Sequence, residues 1–197
     1  MTRQELEEKI GEHSGRYEPN FMSLCITSLR DTISNVMYQI ILNERRKEEG
    51  RVGSTQTFTE SVEEFQKGNS YNTTVLFKYG IKDGPLFYVA LNPRPIFKGA
   101  LVFIRDLAER KAVDDEIDKK SLETMLQFSQ ETGIKIWHNS SGAGATIKEA
   151  HWQGFFYQDF NISQFKQEEL NGSEISTMPN YAGENFVFTR RQIEKCL

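Results

Sequence analysis

Apolar positions along this chain recur at two different spacings, and the change between them organises it. Residues 1–20 read as a short polar helix followed by a loop at Gly15 and Pro19. Leu29, Ile33, Val36, Met37, Ile40 and Ile41 then repeat at helical spacing, while Arg30, Asn35, Asn43 and Arg46 fall largely elsewhere. This predicts an amphipathic helix closed by Gly50 after the charged turn from Glu44 to Glu49. A helix packed on a sheet accounts for that stripe better than a surface for a partner.

From Thr55 onward the period changes. Val75-Leu76-Phe77-Lys78-Tyr79 reads as a strand, residues 80–85 as a turn, and Leu86-Phe87-Tyr88-Val89-Ala90-Leu91 as the antiparallel partner. Asn92-Pro93-Arg94-Pro95 must leave the sheet, because neither proline can donate to a central ladder. Gly99-Ala100-Leu101-Val102-Phe103-Ile104 is a further strand. An amphipathic helix carrying Ile117, Leu122, Met125, Leu126 and Phe128 follows and stops at Gly133. Residues 134–138 and 150–157 are strands flanking a Ser/Gly loop. The tail offers a short helix near 164–170, a strand at 185–188 and a last helix from Thr189. The pattern is α+β, an antiparallel sheet with helices mainly on one face. Residues 1–54 form a helical extension packed on a domain of residues 55–197, together one compact body without repeats or an interdomain linker.

Composition narrows the class. The 197 residues suit one sizeable domain, and 38% hydrophobic with 26% charged residues is a globular balance. A net charge of −4 argues against a surface built for nucleic acid but leaves room for a small anion held by local donors. The two cysteines, Cys25 and Cys196, have neither zinc nor disulfide-framework spacing. The charged N-terminus lacks the apolar core of a signal peptide, and no run approaches the roughly 20 apolar residues of a membrane span. A reducing cytoplasm is expected, and the Asn-X-Ser/Thr sequons at Asn72, Asn139, Asn161 and Asn171 are read as coincidental.

The candidate chemistry lies between Lys135 and Tyr157. Asn139-Ser140-Ser141-Gly142-Ala143-Gly144-Ala145-Thr146 has little side chain to keep an anion from backbone N–H groups. Beyond this loop His151 and Gln153 stand two apart, so a strand points both to one face. A ring nitrogen, an amide and a nest of donors suit a phosphate. Glu149 shares that face if the strand is regular; it either orients the imidazole or is a solvated strand residue. Lys148 and Lys98 either neutralise phosphate or are surface lysines. Trp137 and Trp152 are assigned to core packing opposite the candidate face, His138 to the other face as structural, and His13 carries no signal.

The order Asn92-x-x-Pro95-x-x-x-Gly99-x-Leu101-Val102-x-Ile104, then a helix, then Asn139 to Gln153, resembles the histidine-triad superfamily. The similar branch contains galactose-1-phosphate uridylyltransferase, diadenosine tetraphosphate phosphorylase and GDP-galactose phosphorylase. Gly144-Ala145-Thr146 matches its Gly-Ala-Ser loop, and His151-Trp152-Gln153 the second half of His-x-His-x-Gln. Tyr181 to Phe188 also looks like that branch's late strand. The resemblance spans roughly residues 70–190. Two positions depart from it: Glu149 stands for the first His of that motif, and Ala100 for the His after Gly.

The resemblance implies a nucleotidyltransferase, phosphorylase or hydrolase working through a covalent histidine–NMP intermediate. His151 would attack the α-phosphate, Gln153 would hydrogen-bond a phosphate oxygen, and Asn92 would contact ribose or simply shape the turn before Pro93. Asn139, Ser140, Ser141, Gly144, Thr146 and Lys148 would hold the remaining oxygens. The substrate would be a nucleotide sugar or dinucleoside polyphosphate, with no cofactor, no structural zinc near His151 and, by analogy, a homodimer. Glu149 and Ala100 favour the alternative, a nucleotide-binding or protein-interaction module that has lost half the triad.

Overall fold

A computed structural model describes residues 1–14, 24–30, 37–43, 55–68, 74–92, 99–106, 117–139, 150–156, 167–169 and 176–177. The chain divides into two compact units, one of residues 1–23 with 43–157 and the other of 24–42 with 158–197.

The first unit is built on an antiparallel sheet ordered β3-β4-β5-β7-β6. Its strands are β3 (Val75–Tyr79), β4 (Phe87–Leu91), β5 (Leu101–Arg105), β6 (Lys135–His138) and β7 (His151–Phe155). All five lie where the alternating pattern sets strands, within one or two residues. β4 is buried along its whole length, as befits a strand between two others with both faces covered. A register shift between Val75 and Phe77 bulges β3. Leu76 and Phe77 therefore both join the larger core cluster, while Val75 joins the smaller.

The larger cluster covers one face. Phe77, Tyr79, Phe87, Val89, Leu91, Leu101, Phe103 and Trp152 point into it from the sheet, and helices α1 (Arg3–Ser14) and α3 (Lys119–Thr132) close it. Phe128 of α3 is its centre, edge-on to Phe103 at 5.0 Å and to Tyr79 at 4.7 Å. Such aromatic pairs contribute about 0.5–1.5 kcal/mol each beyond the area they bury. α1 has only two apolar anchors, Leu6 and Ile10, one turn apart and both buried. Its start is stabilised reciprocally: the Thr2 amide donates to Glu5 Oε2 at 2.7 Å and the Glu5 amide to Thr2 Oγ1 at 3.3 Å.

α3 is capped at both ends. The Ser121 amide donates to Asp118 Oδ1 at 2.8 Å, and Gly133, at φ 71°, returns its N–H to the Ser129 carbonyl at 2.8 Å. Gly133 is the stop the pattern predicts. Arg105, at the end of β5, donates to Asp118 Oδ2 and ties this helix to the sheet.

The opposite face carries the smaller cluster of Val62, Val75, Tyr88, Ala90, Val102 and Ile104. Val62 belongs to α2 (Thr55–Gln66), a helix in a stretch to which the sequence reading assigned no element. Two polar contacts fix α2 on β3 and β4: the Thr74 amide donates to Ser61 Oγ at 2.6 Å, and Gln66 Nε2 to the Tyr88 hydroxyl at 2.6 Å. Two of the three described helices thus share one face, in line with the expected layering.

The second unit corrects the helix expected over residues 29–41. Leu24–Arg30 and Met37–Asn43 are strands β1 and β2, paired with each other in a separate two-stranded sheet. Ile and Val are stiff at χ1 and favour extended backbone, and Asp31, Thr32, Ser34 and Asn35 between the strands include strong turn formers. The short helix expected near 164–170 is also absent at Glu168–Glu169, which pair as β8 with β9 (Ser176–Thr177). That segment has too few apolar residues to anchor a helix. The expected strand at 185–188 and the helix from Thr189 lie outside the described residues.

Two outcomes follow for stability. A methyl group at Gly154 would come within 2.9 Å of the Phe103 ring and 3.0 Å of Ile134 Cδ1. Gly154→Ala should therefore destabilise the first unit by about 1–3 kcal/mol in denaturant unfolding; an unchanged midpoint would show that the rings yield freely. Asp118 supplies the second. Burial pushes its carboxyl up, but the Ser121 amide, Arg105 and the Ser121 hydroxyl outweigh it and hold the pKa at about 2, below the ordinary 3.8. Its stabilising contribution is complete above the ordinary value and is lost as pH falls from there towards 2. Asp118→Ala should cost about 1–2 kcal/mol at neutral pH and flatten this acid limb of the unfolding profile.

Candidate functional site

The ladder decides which side chains meet. In β7 Trp152 lies opposite Phe103 and Gly154 opposite Leu101, so both face the larger core. His151, Gln153 and Phe155 consequently point to the other face. Across β5, His151 is opposite Ile104 and Gln153 opposite Val102. Across β6, Gln153 is opposite Trp137 and Phe155 opposite Lys135. Asn139 is the next residue of the chain after the last pair, His138 opposite Trp152. The shared face of His151 and Gln153 thus emerges as the strand period requires.

His151 is 2% exposed. Gln153 and Asn139 are half-buried. The imidazole therefore sits in a sparsely hydrated place, which strengthens any hydrogen bond it makes.

Asn92 occupies the same face at the opposite end. Its amide donates to the Ala100 carbonyl at 2.8 Å, which places it level with Ala100. His151 is level with Ile104, four residues along β5. At about 3.3 Å per residue this is about 13 Å along the strands, with β5 lying between β4 and β7. The ladder puts His151 and Gln153 on one face and leaves Asn92 at the far end of it. Gly99, two residues before β5, is at φ 67°, a left-handed conformation that suits glycine. Ala100 is 4% exposed. Ser140, Ser141, Gly144, Thr146, Lys148 and Glu149 lie outside the described residues, as does Lys98. Chain connectivity alone fixes that residues 140–149 leave from Asn139 and return next to His151.

Trp137 is a correction. It was expected opposite the candidate face, yet it pairs with Gln153 and shares that face. Its edge-to-face partner is Phe155, with ring centroids 4.5 Å apart. The signal was available: Trp137 and Asn139 are two apart on one strand, so a face assigned to one belongs to the other. Trp152 and His138 do face away as expected, ring against ring at 5.2 Å. Among the described residues no group of three or more His, Cys, Asp or Glu side chains converges as a metal site would require, and no helix is long and apolar enough to cross a membrane.

No known protein family and no curated protein matches the chain in sequence. Solved structures do match in fold. Yeast Ap4A phosphorylase Apa2, a member of the histidine-triad superfamily, superposes with a TM-score of 0.61 at 13% identity, over 89% of this chain and 56% of its own. The same enzyme in complex with AMP gives 0.58 over 81% and 50%, and in complex with Ap4A 0.60 over 82% and 53%, both again at 13% identity. The chain has the histidine-triad-like α+β fold and spans about half the length of these enzymes.

His138 gives the site a directly measurable reference. Burial against β7 pushes its pKa below the ordinary 6.5. The folded state therefore favours the neutral ring, a preference fully expressed above 6.5 and lost as pH falls through that value to the folded midpoint. In an NMR titration His138 should titrate below 6.5; a midpoint at or above it would mean that the ring is not held against Trp152.

Proposed function

We propose that this chain binds a nucleoside di- or polyphosphate with the α-phosphate against the His151–Gln153 face, and that His151 is the nucleophile of a nucleotidyl transfer. The observation that carries this reading is the common orientation of His151 and Gln153 on β7. The fold shared with a phosphorylase solved with AMP and with Ap4A supports the same class of ligand.

In this reading the His151 lone pair forms a bond to the α-phosphorus while the bond to the leaving phosphate oxygen breaks in line. Gln153 donates from its amide to a phosphoryl oxygen as charge builds there. A second displacement by phosphate, water or a sugar phosphate breaks the P–N bond and returns the imidazole. Ser140, Ser141, Gly144, Thr146, Lys148 and Asn139 would hold the remaining oxygens, Asn92 a sugar hydroxyl further along the face, and Glu149 would orient the ring. No resident metal is needed for these steps. A homodimer and a cytoplasmic setting belong to the same proposal.

A second reading also has support. His151 is 2% exposed and Ala100 stands where a triad histidine would, so the face suits a module that binds nucleotides without turning them over.

The two separate by intact-mass spectrometry. Incubation with the correct nucleotide and no acceptor should add one NMP, in an acid-labile, alkali-stable bond to His151. His151→Ala should abolish the adduct and His138→Ala leave it. Gln153→Ala should slow its formation by about 10²–10³-fold, the effect of removing one oxyanion donor. Tight binding across nucleotide sugars and dinucleoside polyphosphates, with neither adduct nor turnover, would replace the enzyme by the binding module.

A further inference from the structure

Trp137 is out of place for a core residue. Trp152, its counterpart on β7, is 9% exposed and belongs to the main cluster, as do Ile134 and the half-buried Ile136 on either side of Lys135. Trp137 is half-buried and belongs to neither hydrophobic cluster of the described residues. A side chain this large contributes most to stability when fully buried, so leaving it half open forgoes packing energy. What it gains is position. It lies directly across the ladder from Gln153 and on the diagonal from His151, where cross-strand Cα atoms are about 7–8 Å apart. Phe155, 7% exposed, holds the indole edge-to-face from the next position on β7 and restricts its rotation.

We infer that Trp137 is the stacking platform for the base of the nucleotide whose α-phosphate meets His151 and Gln153. This rests on the nucleotide reading above and deepens it by naming what recognises the base. The ribose sets the base away from the α-phosphorus by a distance comparable to the His151–Trp137 diagonal, so phosphate and base reach their partners together. Every nucleobase has a π-face, so stacking on indole gives affinity for bases in general without choosing among them. Lys135, two residues before Trp137 on the same face, adds positive charge at that end without reading the base. Specificity for one base would have to come from hydrogen bonds to its edge.

The test uses the whole chain and two probes, AMP and ribose 5-phosphate, which share sugar and phosphate but differ in the base. Trp137→Leu should weaken AMP by about 10–100-fold in calorimetry and leave ribose 5-phosphate unchanged. Trp137→Phe, which keeps a ring, should recover most of the loss. The chain has two tryptophans. AMP should therefore quench fluorescence in the wild type, and not in Trp137→Leu, where only core-facing Trp152 remains. Thermal unfolding of each variant shows whether it is folded, and Trp137→Phe carries the comparison if Trp137→Leu is not. AMP binding that His151→Ala or Gln153→Ala weakens but neither Trp137 variant changes would overturn the stacking role and spare the nucleotide reading. Failure of the wild type to bind either probe would overturn both.

Discussion

The ring of Phe103 lies over Gly154, and much of the molecule depends on that contact. It is possible only because residue 154 has no side chain: a Cβ there would meet the ring at 2.9 Å. The contact pins β7 against β5 in one register. A slip of one residue would carry the whole alternation to the other side of the sheet. In the register observed, Trp152 enters the aromatic core around Phe128, and His151, Gln153 and Phe155 are turned to the opposite face. The core and the candidate site are two consequences of one pairing. Either side of β7 could have carried the chemistry; the fit of Phe103 over Gly154 decides which.

Much of the first unit was legible because its signals were local and agreed with one another. β3 to β7 alternate or run apolar at strand length, and Gly133 ends α3 where a cap is needed. The face of His151 and Gln153 followed from the strand period alone. The misreadings came where one run fits two periods. Ile33, Val36, Met37, Ile40 and Ile41 suit a helical stripe, but β-branched content and the turn formers before Val36 decide for strands β1 and β2. α2 was missed although Phe58, Val62 and Phe65 stand at helical spacing, because the threonines at its start mask the period. Trp137 was set opposite the candidate face although, two residues from Asn139, it shares that residue's strand parity.

The candidate site combines a histidine with concealment: its imidazole is 2% exposed and shielded from water. The same burial means that a ligand must displace whatever covers the ring before it can react.

The central claim is that the face of β7 bearing His151 and Gln153, and not the aromatic core face, receives a nucleotide phosphate. A crystal structure of the chain grown with AMP tests this most directly. The account predicts density for the phosphate within hydrogen-bond distance, about 2.7–3.2 Å, of the His151 ring and the Gln153 amide. AMP bound elsewhere, with the His151 ring still buried at saturating ligand, would contradict it.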